Sequence, residues 1–151
     1  MVRDATLDDV DDILAMIQEA TSKHYKLIPD RDSIKRIIVQ AISSKQHWLQ
    51  VGYDKDKLTG CMLVGSNNFD FAKKMMAQIS FFNFQNLAQG TALIDNMMRW
   101  VRDRKAIQMV VYTIPYYSFS PLLLENKGFK SSGSMTYWRR QWDFSQKSGK
   151  V

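Results

Sequence analysis

The stretch of this chain with the clearest chemical potential is Gln85-Asn86-Leu87-Ala88-Gln89-Gly90, which follows an apolar segment rich in aromatic residues. Helical spacing of apolar side chains returns from Gly90, so the sequence predicts a buried strand, a tight turn of small residues and the start of a helix. A helix N-terminus presents unpaired backbone N–H groups and a partial positive charge, which suit a phosphate or a pyrophosphate. An ordinary strand-to-helix turn is the competing interpretation.

Two familiar phosphate loops do not match this turn. It lacks the Gly-Lys-Ser/Thr ending of a nucleotide-hydrolase loop. It also lies in mid-chain, after a predicted hairpin, which does not suit the first crossover of a dinucleotide-binding fold. A nucleotide hydrolase and a nicotinamide-dependent oxidoreductase are therefore both disfavoured.

Cysteine, histidine and glutamate are too scarce for several common kinds of site. One cysteine, Cys61, excludes an internal disulfide and a multi-cysteine zinc site, and with only His24 and His47 in addition we expect no structural metal. Cys61 lies on a predicted strand with no histidine or aspartate pattern beside it, so we interpret it as a small core residue. The only glutamates are Glu19 and Glu125.

The chain has 151 residues, 45% of them hydrophobic, and a formal net charge of +6. This length and composition predict one globular domain. Residues 1–20 contain six acidic residues and one basic residue, a sum of −5, so the remainder carries +11 and suits a phosphate-bearing ligand. We find no apolar run of membrane-spanning length and no signal-peptide pattern, and we therefore expect a cytoplasmic protein without a membrane partner.

The hydrophobic periodicity predicts an α/β fold of the α+β type with a mixed central sheet and the order β-α-α-β-β-β-α-β-α-β. The acidic residues after Thr6 are interpreted as a solvated helix start, since they crowd the first turn of an amphipathic helix. We expect one domain over residues 1–145 and a flexible tail at 146–151. The predicted strands are 2–5, 48–53, 58–65, 75–84, 109–114 and 135–142, with polar connecting residues at 66–74.

Over nearly its full length the chain resembles the GNAT superfamily of N-acetyltransferases. The turn Gln85–Gly90, followed by Thr91-Ala92-Leu93, is similar to the family's acetyl-CoA motif Gln/Arg-x-x-Gly-x-Gly/Ala, which is commonly followed by Ser-x-Leu. Leu123-Leu124-Glu125-Asn126-Lys127-Gly128-Phe129 is similar to the family's Leu-Tyr-Glu-Lys-x-Gly-Phe. The resemblance implies that residues 1–145 form a GNAT-like acyl-CoA-binding domain.

The resemblance further implies an acetyl-CoA-dependent N-acetyltransferase that moves an acetyl group directly to a primary amine, on a small molecule or a protein. It implies that the pantetheine arm pairs with the end of the strand before the turn and that the pyrophosphate contacts the turn. His24 and Tyr25, between the first two helices, are expected to line an acceptor pocket. The implied cofactor-binding residues are Phe82, Asn83, Phe84, Gln85, Ala88, Gln89, Gly90, Thr91 and Ala92.

One departure from the family pattern bears on proton transfer. Leu124 stands at the position of the tyrosine that often protonates the departing thiolate. Tyr117 is then the candidate catalytic donor, with Tyr116, Tyr112 or water as alternatives, and packing at a strand-to-helix turn as its non-catalytic interpretation. Neither glutamate lies on the predicted strands that flank the cleft, so we expect the amine to be deprotonated through ordered water, with Asp70 a more remote candidate.

Two other functions compete with acetyl transfer. Leu124, together with Ala88 in place of the first motif glycine, favours a catalytically degenerate GNAT-like module that serves as a binding or structural protein, whereas Gln85 and Gly90 favour the enzyme. Trp138-Arg139-Arg140-Gln141-Trp142 suggests nucleic-acid binding, but such alternation is typical of a strand with one core face and one solvated face, so nucleic acid is disfavoured. The sequence is compatible with a homodimer. Its residues do not distinguish a small-molecule acceptor from a protein acceptor.

Overall fold

The computed structural model describes residues 1–25, 28–69, 74–104, 108–111 and 121–130. Within them lie the strands β1 (Val2–Asp4), β2 (His47–Asp54), β3 (Lys57–Phe69), β4 (Lys74–Phe84) and β5 (Gln108–Val111), and the helices α1 (Val10–Ala20), α2 (Arg31–Ser43), α3 (Leu87–Asp103) and α4 (Pro121–Glu125). The expected α+β class and mixed sheet are confirmed. The expected last strand at 135–142 and the tail at 146–151 lie outside the described residues.

The five described strands form one sheet in the order β1-β2-β3-β4-β5. Pairs from β1 to β4 are antiparallel, whereas β4 and β5 are parallel and pair from Met76↔Gln108 to Ile79↔Val111. Parallel neighbours need a crossover connection, and α3 provides it. The crossover places the start of α3 directly after the end of β4.

The hairpin of β3 and β4 is longer than the sequence predicts. Residues 66–69 were expected to begin a polar connection, but Ser66 pairs with Ala77 and Phe69 pairs with Lys74. That expectation is wrong because backbone pairing with β4 extends the strand where hydrophobic side chains are scarce.

The core has two parts, one on each face of the sheet, because successive strand residues point to opposite sides. The first cluster joins α1 and α2 to the sheet and comprises Val10, Ile13, Leu14, Ile38, Ala41, Leu49, Val51, Leu58, Cys61, Leu63 and Phe81. The second cluster joins α3 and α4 to the other face and comprises Trp48, Met62, Val64, Ala77, Ile79, Phe82, Leu93, Ile94, Met97 and Leu124. The interpretation of Cys61 as a core residue is confirmed, and its burial raises the pKa of the thiol to about 12.

Hydrogen bonds to the Asp9 carboxylate, at the start of α1, link that helix to the strands β1 and β2. Arg3 donates to it from both terminal nitrogens, at 2.7 and 2.8 Å, and the Thr6 N–H donates at 2.8 Å. The Tyr53 hydroxyl lies 3.0 Å from Asp9 and 2.9 Å from Asp12. The expectation of a solvated acidic cluster is therefore wrong for Asp9, which is 3% exposed. Hydrogen bonding to Arg3 is the main reason that the pKa of Asp9 lies well below its usual range.

Replacing Asp9 by alanine is expected to lower the free energy of unfolding by about 3 kcal/mol, because Arg3 and Tyr53 lose a buried partner. Since the pKa of Asp9 is lower in the folded state than in the unfolded chain, this stabilisation is present above about pH 4 and declines as the pH falls. Urea unfolding measures this at about pH 7 and about pH 3. The difference in free energy of unfolding between wild type and Asp9→Ala should be about 1 kcal/mol smaller at the lower pH.

The exposed carboxylate of Asp12 is the matched control for this substitution. Asp12→Ala removes one hydrogen bond to Tyr53 and should cost less than about 1 kcal/mol. Equal losses for the Asp9 and Asp12 variants would contradict the joining role of Asp9.

Candidate functional site

The motif Gln85–Gly90 forms the junction between β4 and α3. Phe84 ends the strand, and the Gln85 N–H donates to the carbonyl oxygen of Thr59 on β3 at 2.8 Å, which holds the chain against the sheet as it turns. Asn86 is the N-cap of α3 and has extended backbone angles, with φ −122° and ψ 124°. The helix therefore begins at Leu87, three residues before the predicted start at Gly90.

The side chain of Asn86 occupies the start of α3. Its Oδ1 accepts hydrogen bonds from the backbone N–H groups of Ala88, at 2.8 Å, and Gln89, at 3.3 Å. These are two of the amides that a helix start leaves without an intrahelical partner. No acidic side chain lies in this first turn, and Leu87 and Ala88 are exposed.

The next three residues of the motif region lie inside the helix. The Gly90 N–H donates to the Asn86 carbonyl oxygen at 3.0 Å, and the Thr91 hydroxyl donates to the Leu87 carbonyl oxygen at 2.9 Å. The backbone N–H groups of Thr91 and Ala92 face the preceding turn, as in any helix interior. The amides at the open end of α3 are thus those of Leu87, Ala88 and Gln89.

Gly90 is required for packing between the helix and the end of β4. A Cβ on Gly90 would lie 2.8 Å from the Cγ and Cδ2 atoms of Phe84, closer than side chains approach one another. The Phe84 ring therefore covers Gly90, which is buried. The structure explains this glycine by the approach of an aromatic ring, where the sequence suggested the approach of a ligand.

Gln89 turns away from the open end of α3 and contacts the sheet. Its Oε1 accepts a hydrogen bond from Thr59 Oγ1 at 2.7 Å, and its Nε2 donates to the Tyr53 carbonyl oxygen at 3.1 Å. Gly52 and Gly60 pair across β2 and β3, and Cβ atoms on them would lie 2.9 and 3.3 Å from Gln89 Oε1. The two glycines make the room that this amide fills.

Gln89→Ala is expected to lower the free energy of unfolding by about 1–2 kcal/mol, because the buried Thr59 hydroxyl loses the nearer of its two acceptors and the Tyr53 carbonyl oxygen loses a donor. Chemical denaturation measures the loss. Gln85→Ala, a change at the neighbouring exposed glutamine, is the control and should leave stability within about 0.5 kcal/mol of wild type. Similar losses for the two variants would contradict the assigned contact.

The strand residues predicted to flank a cofactor face opposite sides of the sheet. Phe82 belongs to the second cluster, and its ring lies 5.1 Å from that of Phe84, measured between centroids. Asn83 lies on the other side and lines a cleft of about 660 Å³ beside α1. The junction thus contributes to both faces of the sheet.

Sequence reasoning did not anticipate the charged lining of this cleft. The cleft lies between α1, the turn from β2 to β3, and the end of β4, and Gln85 also lines it. Its charged residues are Asp12, Lys23, Asp56, Lys57 and the helix residue Glu19. Helical spacing of Asp12, Glu19 and Lys23 was the available signal, but only the packing of α1 on the sheet shows that they face the end of β4.

Leu124, at the position of the family's tyrosine, is a core residue. It lies on α4, is 4% exposed and packs in the second cluster. The end of α4 is joined to α3 by an ion pair between Lys127 and Asp95 at 2.8 Å. Leu124 therefore contributes to the attachment of α4 and has no group that could transfer a proton.

Several predicted residues lie where the structure gives no side-chain detail. Tyr112, Tyr116, Tyr117 and Asp70 are outside the described residues. His24 and Tyr25 lie in a single π-helical turn, Thr21–Tyr25, that extends α1, and only their backbone is described. Their expected roles stay predictions.

The described residues contain neither a metal-binding cluster nor a membrane-spanning helix. Within them, no group of three or more His, Cys, Asp or Glu side chains is placed to hold a metal ion. No helix among them is both long enough and apolar enough to cross a membrane.

The fold is similar to those of several solved proteins. A probable acetyltransferase matches with a TM-score of 0.73 at 13% identity, covering 93% of this chain and 96% of that chain. A possible acetyltransferase from Clostridium difficile 630 matches with a TM-score of 0.66 at 12% identity, covering 93% and 96%. A transcriptional regulator from Bacillus halodurans C-125 matches with a TM-score of 0.74 at 16% identity, covering 93% and 99%.

No protein-family model matches the chain, and no curated protein matches it. The structural similarity shows that the chain has a GNAT-like fold, which confirms the expected resemblance at the level of the fold. Because a fold of this kind hosts different functions, activity has to be argued from the residues of the site.

Proposed function

We propose that this chain is an acetyl-CoA-dependent N-acetyltransferase that transfers the acetyl group directly to a primary amine. The observation that carries the proposal is the junction of β4 and α3, where a central strand of a GNAT-like fold ends at an exposed helix turn without acidic side chains. A phosphate-rich ligand meets partial positive charge there. The net charge of +11 on residues 21–151 adds long-range attraction.

The first turn of α3 suits a pyrophosphate in its polarity, because it presents backbone N–H groups and has no acidic side chain. The backbone N–H groups of Leu87, Ala88 and Gln89 are the proposed contacts, and the small, exposed Ala88 leaves the backbone accessible. Gly90, Thr91 and Ala92 support this turn from inside the helix. On this proposal residues 82–85 lie along the pantetheine arm, and bound acetyl-CoA supplies an activated thioester as the acyl donor.

Proton transfer on this proposal uses water and one tyrosine. The acceptor's ammonium group first loses a proton to ordered water, and the neutral amine then forms the C–N bond and gives up a second proton to water. The C–S bond breaks as the thiolate takes a proton from Tyr117 or from water. Three carboxylates and two lysines, Asp12, Glu19, Asp56, Lys23 and Lys57, give the cleft beside α1 a net charge of −1, which favours a protonated amine over an anionic acceptor. His24 and Tyr25 remain the proposed lining of the acceptor pocket.

The proposal is tested by titration calorimetry with acetyl-CoA, followed by measurement of CoA release on addition of a panel of primary amines. We expect saturable binding of one acetyl-CoA per chain and CoA release that requires an amine. Absence of binding would overturn the proposal.

A second candidate function is supported by Leu124. Because the position of the family's tyrosine is filled by a buried leucine, the chain also fits a GNAT-like module that binds its ligand without turnover. Saturable acetyl-CoA binding without CoA release for any amine in the panel would favour this module over the enzyme.

Substitution of Asn86 tests the location of the pyrophosphate. Since Asn86 Oδ1 occupies the Ala88 and Gln89 amides, a bound anion has to displace it, and its removal should favour binding. Glycine is well tolerated at an N-cap position, so Asn86→Gly should leave the helix intact. We expect this variant to bind acetyl-CoA about threefold to tenfold more tightly in calorimetry. Asn86→Asp should weaken binding by about tenfold or more, because a carboxylate caps the same amides and repels phosphate.

Two control variants separate this effect from stability and from charge. Asp30→Gly removes the N-cap residue of α2, whose carboxylate accepts a hydrogen bond from Ser33, and should change stability without changing acetyl-CoA affinity. Gln46→Glu adds one negative charge at the exposed far end of β2 and should have little effect on binding. Changes in the same direction for Asn86→Gly and Asn86→Asp would argue against the α3 turn as the pyrophosphate site.

A further inference from the structure

The strand β4 contains a β-bulge at Ser80. Leu63 of β3 pairs with Phe81, but the next residue, Val64, pairs with Ile79, so Ser80 is an extra residue on β4. A bulge interrupts the alternation of side chains, and Ser80 and Phe81 both project toward the face that α1 and α2 cover. Phe81 is buried there, whereas Ser80 is exposed.

A glycine beside the bulge leaves an open space on the same face. Gly65 of β3 pairs with His47 of β2. A Cβ on Gly65 would lie 3.8 Å from His47 Cδ2, 4.0 Å from His47 Nε2 and 4.0 Å from Ser80 Oγ. An imidazole and a hydroxyl group therefore border a space that the side chain of any other residue type at position 65 would fill. We call His47, Gly65 and Ser80 the Gly65 notch.

The imidazole of His47 has one buried nitrogen and one nitrogen directed at the notch. His47 is half-buried, and its Nδ1 is buried and has no hydrogen-bond partner among the residues that the structure describes. A buried N–H without an acceptor is rarely tolerated, so in the neutral ring the proton belongs on Nε2. The side chain then offers a hydrogen-bond donor to the notch.

We propose that the Gly65 notch binds a hydrogen-bond-accepting oxygen of the acceptor substrate, a carbonyl or a hydroxyl, with His47 Nε2–H and the Ser80 hydroxyl as donors. The proposal rests on the proposed N-acetyltransferase function and names the class of acceptor, an amine with such an oxygen close to its nitrogen. An imidazole N–H and a hydroxyl favour an uncharged oxygen, because neither brings a fixed charge.

The position of the notch along β4 agrees with this assignment. Ser80 lies four residues before Phe84, which is about 13 Å along an extended strand. The pantetheine arm has about twelve bonds between phosphate and sulfur, which is the number of backbone bonds in about four residues, so the two have similar extended lengths. Gly90 in the first turn of α3 lies against the Phe84 ring, so a fully extended arm that leaves this turn beside Phe84 reaches the neighbourhood of Ser80.

The tautomer of His47 is the first test and needs no ligand. The chain has two histidines, so His24→Gln leaves His47 as the single imidazole for ¹⁵N NMR. We expect the proton on Nε2 in the neutral ring. A proton on Nδ1 would overturn the proposal, because Nε2 would then accept a hydrogen bond and could not donate one.

The second test compares glycinamide with ethylamine, in which a methyl group replaces the carboxamide, and expresses kcat/KM per concentration of unprotonated amine so that the difference in basicity is removed. With acetyl-CoA saturating, kcat/KM of the wild type should favour glycinamide by about tenfold, as expected for one good hydrogen bond. In His47→Leu and in Gly65→Ala the preference should fall to within about twofold of unity. His47→Gln, which retains an N–H donor, should keep part of it.

Gly65→Ala keeps this test informative if His47→Leu fails to fold. Its Cβ would make contacts of 3.8–4.0 Å, which are ordinary van der Waals distances, and Gly65 has no positive φ, so the variant should fold with a Tm at or above that of the wild type. It fills the notch without removing a polar group.

The outcomes separate the notch from the proposed function. If wild type binds acetyl-CoA but the preference for glycinamide is absent, or persists in both His47→Leu and Gly65→Ala, the notch assignment is overturned and the proposed function stands. If calorimetry detects no acetyl-CoA binding, the proposed function fails and the notch fails with it. CoA release with neither amine, despite acetyl-CoA binding, also overturns the notch as an acceptor subsite.

Discussion

Close approach between α3 and the sheet is the constraint that shapes the candidate site. At Gly52, Gly60 and Gly90 the absence of a Cβ makes room for a partner, which is the Gln89 amide at the first two and the Phe84 ring at the third. A side chain at Gly90 would push α3 away from Phe84 at the end of β4, whereas Cβ atoms at Gly52 and Gly60 would displace the Gln89 amide that ties α3 to the sheet. The orientation of the open helix turn, and therefore every proposed contact to a pyrophosphate, follows from this packing.

The starts of α1 and α3 carry contrasting polar side chains. At the start of α1, the Asp9 carboxylate accepts from Thr6 and is held by Arg3, so charge is paired and buried. At the start of α3, a neutral Asn86 side chain caps the amides and no acid is present. A carboxylate competes with an incoming anion through charge as well as through hydrogen bonds, whereas an amide competes through hydrogen bonds alone. Of these two starts, that of α3 is the one suited to exchange its cap for a phosphate.

Much of the fold could be predicted from the sequence because local patterns and tertiary packing agree. The apolar stripe Val10, Ile13 and Leu14 is buried as its spacing predicts, and the strands of the hairpin lie within a few residues of the predicted positions. The site was less predictable. Spacing placed Gln85–Gly90 at the strand-to-helix turn, but a linear pattern does not show whether a side chain such as Gln89 turns toward the sheet or toward solvent. The neighbours that decide this, Thr59 and Tyr53, are about 30 residues away or more.

Periodicity, turn chemistry and motif order were enough to determine the α+β class, the mixed sheet and the resemblance to GNAT proteins, since these depend on local preferences that repeat along the chain. Only the tertiary structure decided which groups meet. It placed Leu124 in the core, the Phe84 ring on Gly90, and His47 beside Ser80 across Gly65. The physical reason is that contacts between strands depend on register and on a bulge, and a shift of one residue moves a side chain to the opposite face.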